Sequence, residues 1–206
     1  MIIEKVFQAA EPLLRDRIIT DAVLGLSLTA VELDCKDIGL SYVLRERLPA
    51  GCSAFGFAQH IIGAPAPEIA RLVLEGRDDA QRSVGMAVIT AATRALDLPD
   101  EPVLPTPFGL QVRPADRVGM IGYIPPVAEQ LANMQARVFI FDKGLTVSGG
   151  EGAAQVMEMS RQEEILPLCD LMIITGTTLI NGSIDHLLTL CRNAREIVLV
   201  GSSTPM

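Results

Sequence analysis

The stretch Cys169–Leu188, CDLMIITGTTLINGSIDHLL, predicts a buried strand, a polar loop and the start of a helix. Leu171–Ile174 is a continuous apolar run, which is the pattern of a strand covered on both faces of a parallel sheet. Ser183 is a favourable N-cap for the following helix, and Asp185 adds negative charge to its first turn. A strand leading into a helix in this way is typical of βαβ units. The stretch therefore indicates an α/β domain built on a parallel sheet.

The loop inside this stretch is crowded with glycines and small polar residues. Its members are Thr175, Gly176, Thr177, Thr178, Asn181 and Gly182. Ligands bind beyond the carboxyl ends of strands in open α/β sheets, so these hydroxyl and amide groups can orient a ligand by hydrogen bonds. The alternative is that they satisfy backbone groups of the turn. None of them is a strong acid or base alone, so the loop predicts an orienting wall rather than an acid–base centre.

The rest of the chain shows two different patterns. Upstream, the sequence predicts a helix over residues 2–19, a long strand or bent hairpin arm over 21–33, a strand over 38–44, and helices over 67–74 and from 78 or 79 to 96. Downstream of residue 116, strands at 117–122, 137–141, 171–174 and 196–200 alternate with helices at 125–134, 153–166 and 183–191. Such alternation favours a parallel sheet.

A proline-rich segment separates the two patterns. Residues 97–115, DLPDEPVLPTPFGLQVRPA, contain five prolines and little periodicity. Such composition is typical of a linker. We therefore expect an α+β domain over residues 1–100, a linker over 101–115 and a Rossmann-like domain over 116–206.

Composition excludes several classes of function. The 206 residues carry a net charge of −8 and no basic stripe, which argues against nucleic-acid binding. No apolar run is long enough to span a bilayer, and the N-terminus lacks a cleavable signal layout, so we expect a cytoplasmic protein without membrane contact.

The potential metal ligands are few and dispersed. The four cysteines, Cys35, Cys52, Cys169 and Cys191, share no CxxC spacing and are interpreted as reduced, structural thiols. The only histidines, His60 and His186, cannot form a His-rich metal site within one chain. The sequence therefore predicts no metal held directly by protein side chains, and it identifies no cofactor.

The first turn of the downstream half, VGMIGYIPP over residues 118–126, is a poor phosphate site. Pro125 and Pro126 stand at the predicted helix start and lack the N–H groups that hold a phosphate. A flatter or less anionic ligand can still dock against Gly122 and Tyr123. Asp142 follows Gly122 by twenty residues. It is either an acid that binds ribose hydroxyls or a solvated turn residue.

Three segments resemble one known family. DRVGMIGYIPP (116–126), PLCDLMIITGTTLINGSIDHLL (167–188) and IVLVGSSTP (197–205) look like the bacterial and archaeal domain of unknown function 364, labelled a putative heavy-metal chelation domain. Upstream, TDAVLGLSLTAVEL (20–33), DIGLSYVL (37–44) and SVGMAVITAA (83–92) resemble the enolase-N-terminal-like domain that precedes it. Thr90 and Ser202 depart from the family, which more usually has Asn and Pro there.

The resemblance implies an antiparallel sheet followed by helices, then a Rossmann-like domain, with a cleft between the two. It also implies a role in making or handling metal-chelating small molecules such as pterin- or siderophore-like compounds, although fold alone does not fix function. The family commonly continues beyond the position of Met206. We therefore expect either a naturally short chain or a sheet completed by another copy, so a homo-oligomer stays open.

Three hypotheses follow. The first is a small-molecule site in the interdomain cleft that binds a chelator precursor, and condensation or hydrolysis of that precursor is left open. The residues assigned to it are Gly122, Tyr123, Asp142, Thr175, Gly176, Thr177, Asn181 and Gly182. The second is a non-catalytic carrier or sensor of a metal–chelate complex. The third is an S-adenosylmethionine-dependent methyltransferase, which Asp142 supports and the double proline opposes.

Overall fold

The computed structural model describes residues 1–44, 58–98, 105–145 and 152–205. The chain divides into two compact units. The first comprises Met1–Leu98, Gly176–Ile184 and Gly201–Met206, and the second comprises Pro99–Thr175 and Asp185–Val200. The division after residue 98 lies close to the predicted linker. Two short segments of the C-terminal half join the first unit, which the sequence had not indicated.

The first unit contains a three-stranded antiparallel sheet. Its strands are β1 (Ile19–Leu24), β2 (Leu28–Leu33) and β3 (Ile38–Tyr42), in the order β1-β2-β3. The sequence left open a long strand or a bent hairpin arm over 21–33, and the structure has two strands joined by a tight turn. The Gly25 N–H donates to the Leu28 carbonyl at 2.9 Å and closes that turn.

The described helices of the first unit are α1 (Ile2–Leu14), α2 (Ala66–Ala70), α3 (Leu72–Glu75), α4 (Asp79–Thr93) and α7 (Thr177–Ile180). The helix predicted over residues 2–19 was too long. It ends at Leu14, because Asp16 adopts a φ of 62° and turns the chain towards β1. The buried face of α1 carries Phe7 and Leu14, whereas Ile18, within the predicted range of the helix, lies beyond its end and is exposed. The predicted helix over 67–74 is two short helices that meet at Arg71. No helix in the described ranges combines the length with the apolar composition that a bilayer crossing requires.

Helix α4 lies very close to the antiparallel sheet. It begins where predicted, with Asp78 Oδ1 accepting from the Gln81 N–H at 2.9 Å. A Cβ on Gly39 of β3 would overlap the backbone of Ala87 and Ala91 in α4. Thr90 Oγ1 lies 3.0 Å from the Leu40 carbonyl and donates to it. The small residues of SVGMAVITAA (83–92) in α4 therefore let the backbone of this helix approach the backbone of β3 closely.

The second unit is built on a five-stranded parallel sheet. Its strands are β4 (Arg117–Ile121), β5 (Arg137–Phe141), β6 (Ala154–Val156), β7 (Leu171–Thr175) and β8 (Glu196–Val200), in the order β6-β5-β4-β7-β8. Its helices are α5 (Pro125–Asn133), α6 (Gln162–Ile165) and α8, which starts at Ile184 and ends at Leu190. The mixed α/β class, with an antiparallel sheet followed by a parallel one, is confirmed. The likeness of the first unit to the enolase N-terminal domain stays a prediction.

The predicted helix over 153–166 was wrong at its start. Residues 154–156 form β6 and pair in parallel with residues 138–140 of β5. Only Gln162–Ile165 is α-helical in that segment. Strand pairing satisfies the backbone groups of β6 through β5, a long-range gain that local helical periodicity does not report.

The amino ends of three parallel strands are tied by one arginine. Arg195, just before β8, donates from Nη2 to Asp116 Oδ2 at 2.8 Å, and its Nη1 lies 3.6 Å from Asp170 Oδ1. Asp170 Oδ2 in turn accepts from the Arg117 N–H at 2.9 Å. The hydrogen bond from Arg195 to Asp116 raises the pKa of the guanidinium. These contacts fix the register of β4, β7 and β8 at the edge opposite to their carboxyl ends.

We expect Gly39→Ala to destabilise the protein by about 3 kcal/mol, because the new methyl group meets the backbone of α4 rather than a movable side chain. Urea unfolding followed by circular dichroism measures this loss. The matched control is Gly152→Ala, whose added Cβ would have no described atom nearer than 3.7 Å. Equal midpoints for the two variants would show that α4 can move away from β3.

Candidate functional site

The parallel sheet of the second unit has a switch point between β4 and β7. The chain proceeds outward from β4 through β5 to β6, and then returns to the other side of β4 for β7 and β8. Connections at such a point leave the sheet in opposite directions and open a crevice at the carboxyl ends of the two strands. Gly122 and Tyr123 follow β4, Asp142 follows β5, and Thr175 ends β7. Four of the eight predicted site residues therefore lie at this edge.

Gly122 and Thr175 meet across the switch point. Gly122 has a φ of 87°, a conformation that favours glycine. A Cβ built on Gly122 would also lie 3.1 Å from both Cβ and Cγ2 of Thr175. Backbone conformation and close packing thus both require glycine here. The β4–α5 connection lies directly beside the half-buried end of β7 as a result.

Asp142 connects two neighbouring loops of this edge. Its Oδ2 accepts a hydrogen bond from the Tyr123 N–H at 2.8 Å, and its Oδ1 accepts one from the Gly144 N–H at 2.8 Å. The carboxylate therefore binds the loop after β4 to the loop after β5. Neither alternative from the sequence, a ribose-binding acid or a solvated turn residue, includes this bond to Tyr123. A ribose hydroxyl would have to share oxygens that the backbone already uses.

The start of α5 offers few donors to an anion. Pro125 and Pro126 have no N–H, and the next two N–H groups, of Val127 and Ala128, both donate to the Ile124 carbonyl at 3.1 and 3.0 Å. The Gly122 N–H donates to the Phe141 carbonyl at 2.9 Å. These groups are the ones that hold a pyrophosphate in dinucleotide-binding folds. At this turn the N–H groups of Gly122, Val127 and Ala128 are therefore already used within the protein.

The other four predicted residues, Gly176, Thr177, Asn181 and Gly182, belong to the first unit. They do not form one continuous polar loop, because Thr177–Ile180 is the helix α7 and Thr178 is buried. Asn181 Oδ1 accepts from the Ser183 N–H at 3.0 Å, which is a turn-stabilising role. Gly182 has a φ of 75°. Asn181 and Gly182 therefore take part in shaping the turn that precedes α8.

A buried serine cluster in the first unit was missed by the sequence analysis. Ser203 Oγ accepts from the Tyr42 N–H at 2.8 Å and lies 3.3 Å from Ser41 Oγ. Ser83 Oγ of α4 donates to the Tyr42 carbonyl at 3.0 Å. The cluster attaches the segment after Gly201 to β3 and α4. The available signal was the small polar run GSSTP after β8. The sequence does not show, however, that Ser203 in this run pairs with Ser41, 162 positions earlier.

Among the described residues, no three His, Cys, Asp or Glu side chains lie close enough together to hold a metal ion. Cys35, Cys169 and Cys191 are free thiols, as predicted, whereas Cys52 lies outside the described residues. Burial raises the pKa of Cys169 to about 12 and that of Cys191 to about 11, so neither is a ready thiolate. His186 is exposed, with Nε2 4.0 Å from Glu163 Oε1.

Two family models match this chain, and both carry the description "Putative heavy-metal chelation". The model of domain of unknown function 4213 matches residues 7–93, and that of domain of unknown function 364 matches residues 106–206. Together they span nearly the whole sequence. No curated protein matches the chain significantly.

Two solved structures of similar fold come from the domain of unknown function 364 family. The one from Pyrococcus horikoshii, a protein of unknown function, is 21% identical and has a TM-score of 0.79; the match covers 98% of this chain and 80% of that one. The one from Desulfitobacterium hafniense DCB-2, also of unknown function, is 22% identical and has a TM-score of 0.74. That match covers 100% of this chain and 81% of the other. At these identities the likeness establishes the fold alone.

We expect Asp142→Asn to cost about 1–2 kcal/mol of stability, because an amide has one acceptor oxygen and leaves one of the two backbone N–H groups without its partner. Urea unfolding gives the loss, and hydrogen exchange reports faster exchange at the Tyr123 or Gly144 amide. Glu129→Gln, the same chemical change at an exposed site of α5, serves as the control. A loss no larger than that of the control would contradict the connecting role.

We expect Cys169 and Cys191 to react far more slowly with iodoacetamide at pH 8 than the half-buried Cys35. A raised pKa lowers the fraction of reactive thiolate at a given pH, by roughly a thousandfold for Cys169. Peptide mapping by mass spectrometry measures the rates site by site. The same reaction in denaturant should bring all three rates together. Rapid native labelling of Cys169 would contradict its burial.

Proposed function

Because the family models that match the two halves of this chain both carry the description "Putative heavy-metal chelation", we propose that the protein binds a small organic molecule that chelates a metal, or a precursor of one. The proposed site is the carboxyl edge of β4 and β7 in the second unit. Pterin- and siderophore-like compounds are the ligand classes that we favour. The family description supports the ligand class, and the fold supports the location.

The reversal of strand order between β4 and β7 is the observation that carries this proposal. Crevices at switch points of parallel sheets are the usual ligand sites of this fold class. Gly122 lets the loop after β4 lie close against Thr175, whose side chain ends β7 with a polar group. Tyr123 is 38% exposed next to them and offers an aromatic surface. This arrangement suits a flat, polar ring.

The hydrogen bonds of this edge favour a ligand of low negative charge. Backbone N–H groups of Gly122, Tyr123, Val127 and Ala128 already have partners within the protein. A phosphate would need these donors to replace its lost hydration. A heteroaromatic or catechol ring needs fewer of them. The same bonds weigh against an S-adenosyl or dinucleotide ligand, whose ribose would compete for Asp142.

We infer that the metal is cargo, held by the donor atoms of the bound molecule. The described side chains do not fit direct coordination, because they provide no cluster of three potential ligands. Asp142, the acid at this edge, uses both of its oxygens on backbone N–H groups. Binding and orientation are therefore the functions that these residues support, and turnover of a precursor would need a group that the ligand or another part of the chain supplies.

We expect a pterin or 2,3-dihydroxybenzoate, free or as its Fe(III) complex, to raise the unfolding temperature in a concentration-dependent way. Thr175→Val and Tyr123→Ala should each weaken that binding about tenfold, since they remove a hydroxyl and the aromatic surface. Calorimetric titration provides the dissociation constants.

The matched control is Thr189→Val, which changes a threonine on α8 whose hydroxyl bonds to the Asp185 carbonyl. It should bind like the wild type. The proposal would be refuted if none of these compounds raised the unfolding temperature. It would also be refuted if neither Thr175→Val nor Tyr123→Ala changed the dissociation constant. A response to Zn²⁺ or Fe³⁺ alone would contradict the inference that the ligand carries the metal. Mass spectrometry of the recovered compounds tests for turnover.

A further inference from the structure

The antiparallel sheet of the first unit is covered by a helix on one face, and among the described residues no helix packs on the other face. Helix α4 packs on the face that carries the buried residues Thr29, Val31 and Leu33 of β2. The side chains between them point the other way, and the strand register extends this second face across all three strands. We call it the outer face. Its apolar members are Val23, Leu28, Ala30, Ile38, Leu40 and Tyr42.

The outer face exposes large apolar side chains. Val23 is 59% exposed, Leu28 42% and Ile38 49%, and Leu26 in the adjoining hairpin turn is 79% exposed. The exposed parts of these four side chains amount to roughly 400 Å², in the range of the largest apolar patch on a typical monomer. The half-buried Ala30, Leu40 and Tyr42 extend the patch. With them it matches the apolar share, somewhat over half, of the roughly 800 Å² that each partner contributes to a standard stable interface.

Backbone hydrogen-bonding groups at both edges of this sheet have partners, whereas the apolar side chains of its outer face are exposed. The Tyr42 N–H at the β3 edge donates to Ser203 Oγ at 2.8 Å. At the β1 edge, the Ile19 N–H donates to the Ala64 carbonyl at 3.1 Å, and the Ile19 carbonyl accepts from the Gly63 N–H at 2.8 Å. Addition of a further strand would displace bonds at these positions. The apolar face is therefore the surface whose burial against a partner would be most favourable.

The charges on the outer face suit a second copy of the chain. Asp21 and Glu32 lie side by side at one end, where Lys36 Nζ bonds to Glu32 Oε1 at 2.9 Å. The opposite end, towards the hairpin turn, carries no charged side chain on β1 or β2. If two copies stack about a two-fold axis near Ala30, the acidic end of each lies over the apolar turn of the other. The acidic pairs are then kept apart, which lowers the repulsion between two copies that each carry a net charge of −8.

We propose that the outer face is the interface of a homodimer, in which the antiparallel sheets of two copies pack face to face. A two-fold interface is self-complementary, so the same residues from each copy meet across it. Stacked sheets lie about 10 Å apart, a distance that the side chains of Val23, Leu28 and Tyr42 can fill from both sides. The interface then buries the exposed leucine and valine side chains that a monomer would leave in water.

Sedimentation equilibrium of the full chain tests the proposal. The wild type should have twice the chain mass of 22.1 kDa at micromolar concentration. Val23→Lys should raise the dimer dissociation constant at least tenfold, because the dimer would bury two lysine charges, one from each copy, while an exposed edge strand tolerates lysine in the monomer. The matched control is Ile62→Lys, also at a 59% exposed residue of the first unit but outside the sheet, and it should dimerise like the wild type.

Circular dichroism establishes that each variant is folded, and Ile38→Lys on β3 provides a second variant of the same face should Val23→Lys fail to fold. A single-chain mass for the wild type up to high micromolar concentration would overturn the proposal. So would equal dimer dissociation constants for the folded face variant and Ile62→Lys, because association would then use another surface or depend on net charge alone.

Discussion

The pairing of β4 with β7 constrains the second unit more than any other contact. Residues 118–121 of β4 lie beside residues 171–174 of β7, and all eight are buried. The adjacency forces the chain to leave the sheet in opposite directions on the two sides of this pair. It also places Gly122 against Thr175, where a larger residue would not fit. The candidate site exists because these two strands are neighbours.

The same edge is rich in hydrogen bonds but has few free groups. Asp142 holds the loop after β4, Ile124 receives two N–H groups of α5, and the prolines contribute none. A preorganised edge of this kind can orient a ligand without supplying a proton donor or acceptor. These features support the proposal that the protein holds a molecule whose own atoms bind the metal.

The first unit uses the two faces of one small sheet differently. Its inner face is closed by α4 at a distance that only Gly39 permits, and Thr90 adds a hydrogen bond to the neighbouring Leu40 carbonyl. Thr90 thus acts within the packing of helix on sheet. The outer face has no comparable cover among the described residues. One face is therefore specified by steric fit, and the other is left with apolar area that a partner can bury.

Local sequence determined the strands Arg137–Phe141 and Glu196–Val200, the N-cap of α4 and the poor phosphate site at Pro125, because apolar runs, caps and missing N–H groups act over a few residues. Four of the predicted site residues were also placed together by the rule that strand ends share an edge. Only the tertiary structure decided that residues 154–156 form a strand, that Asp142 bonds to Tyr123, and that Ser203 joins β3. Each of these depends on hydrogen bonds between residues distant in the chain, which satisfy groups that local periodicity leaves undetermined.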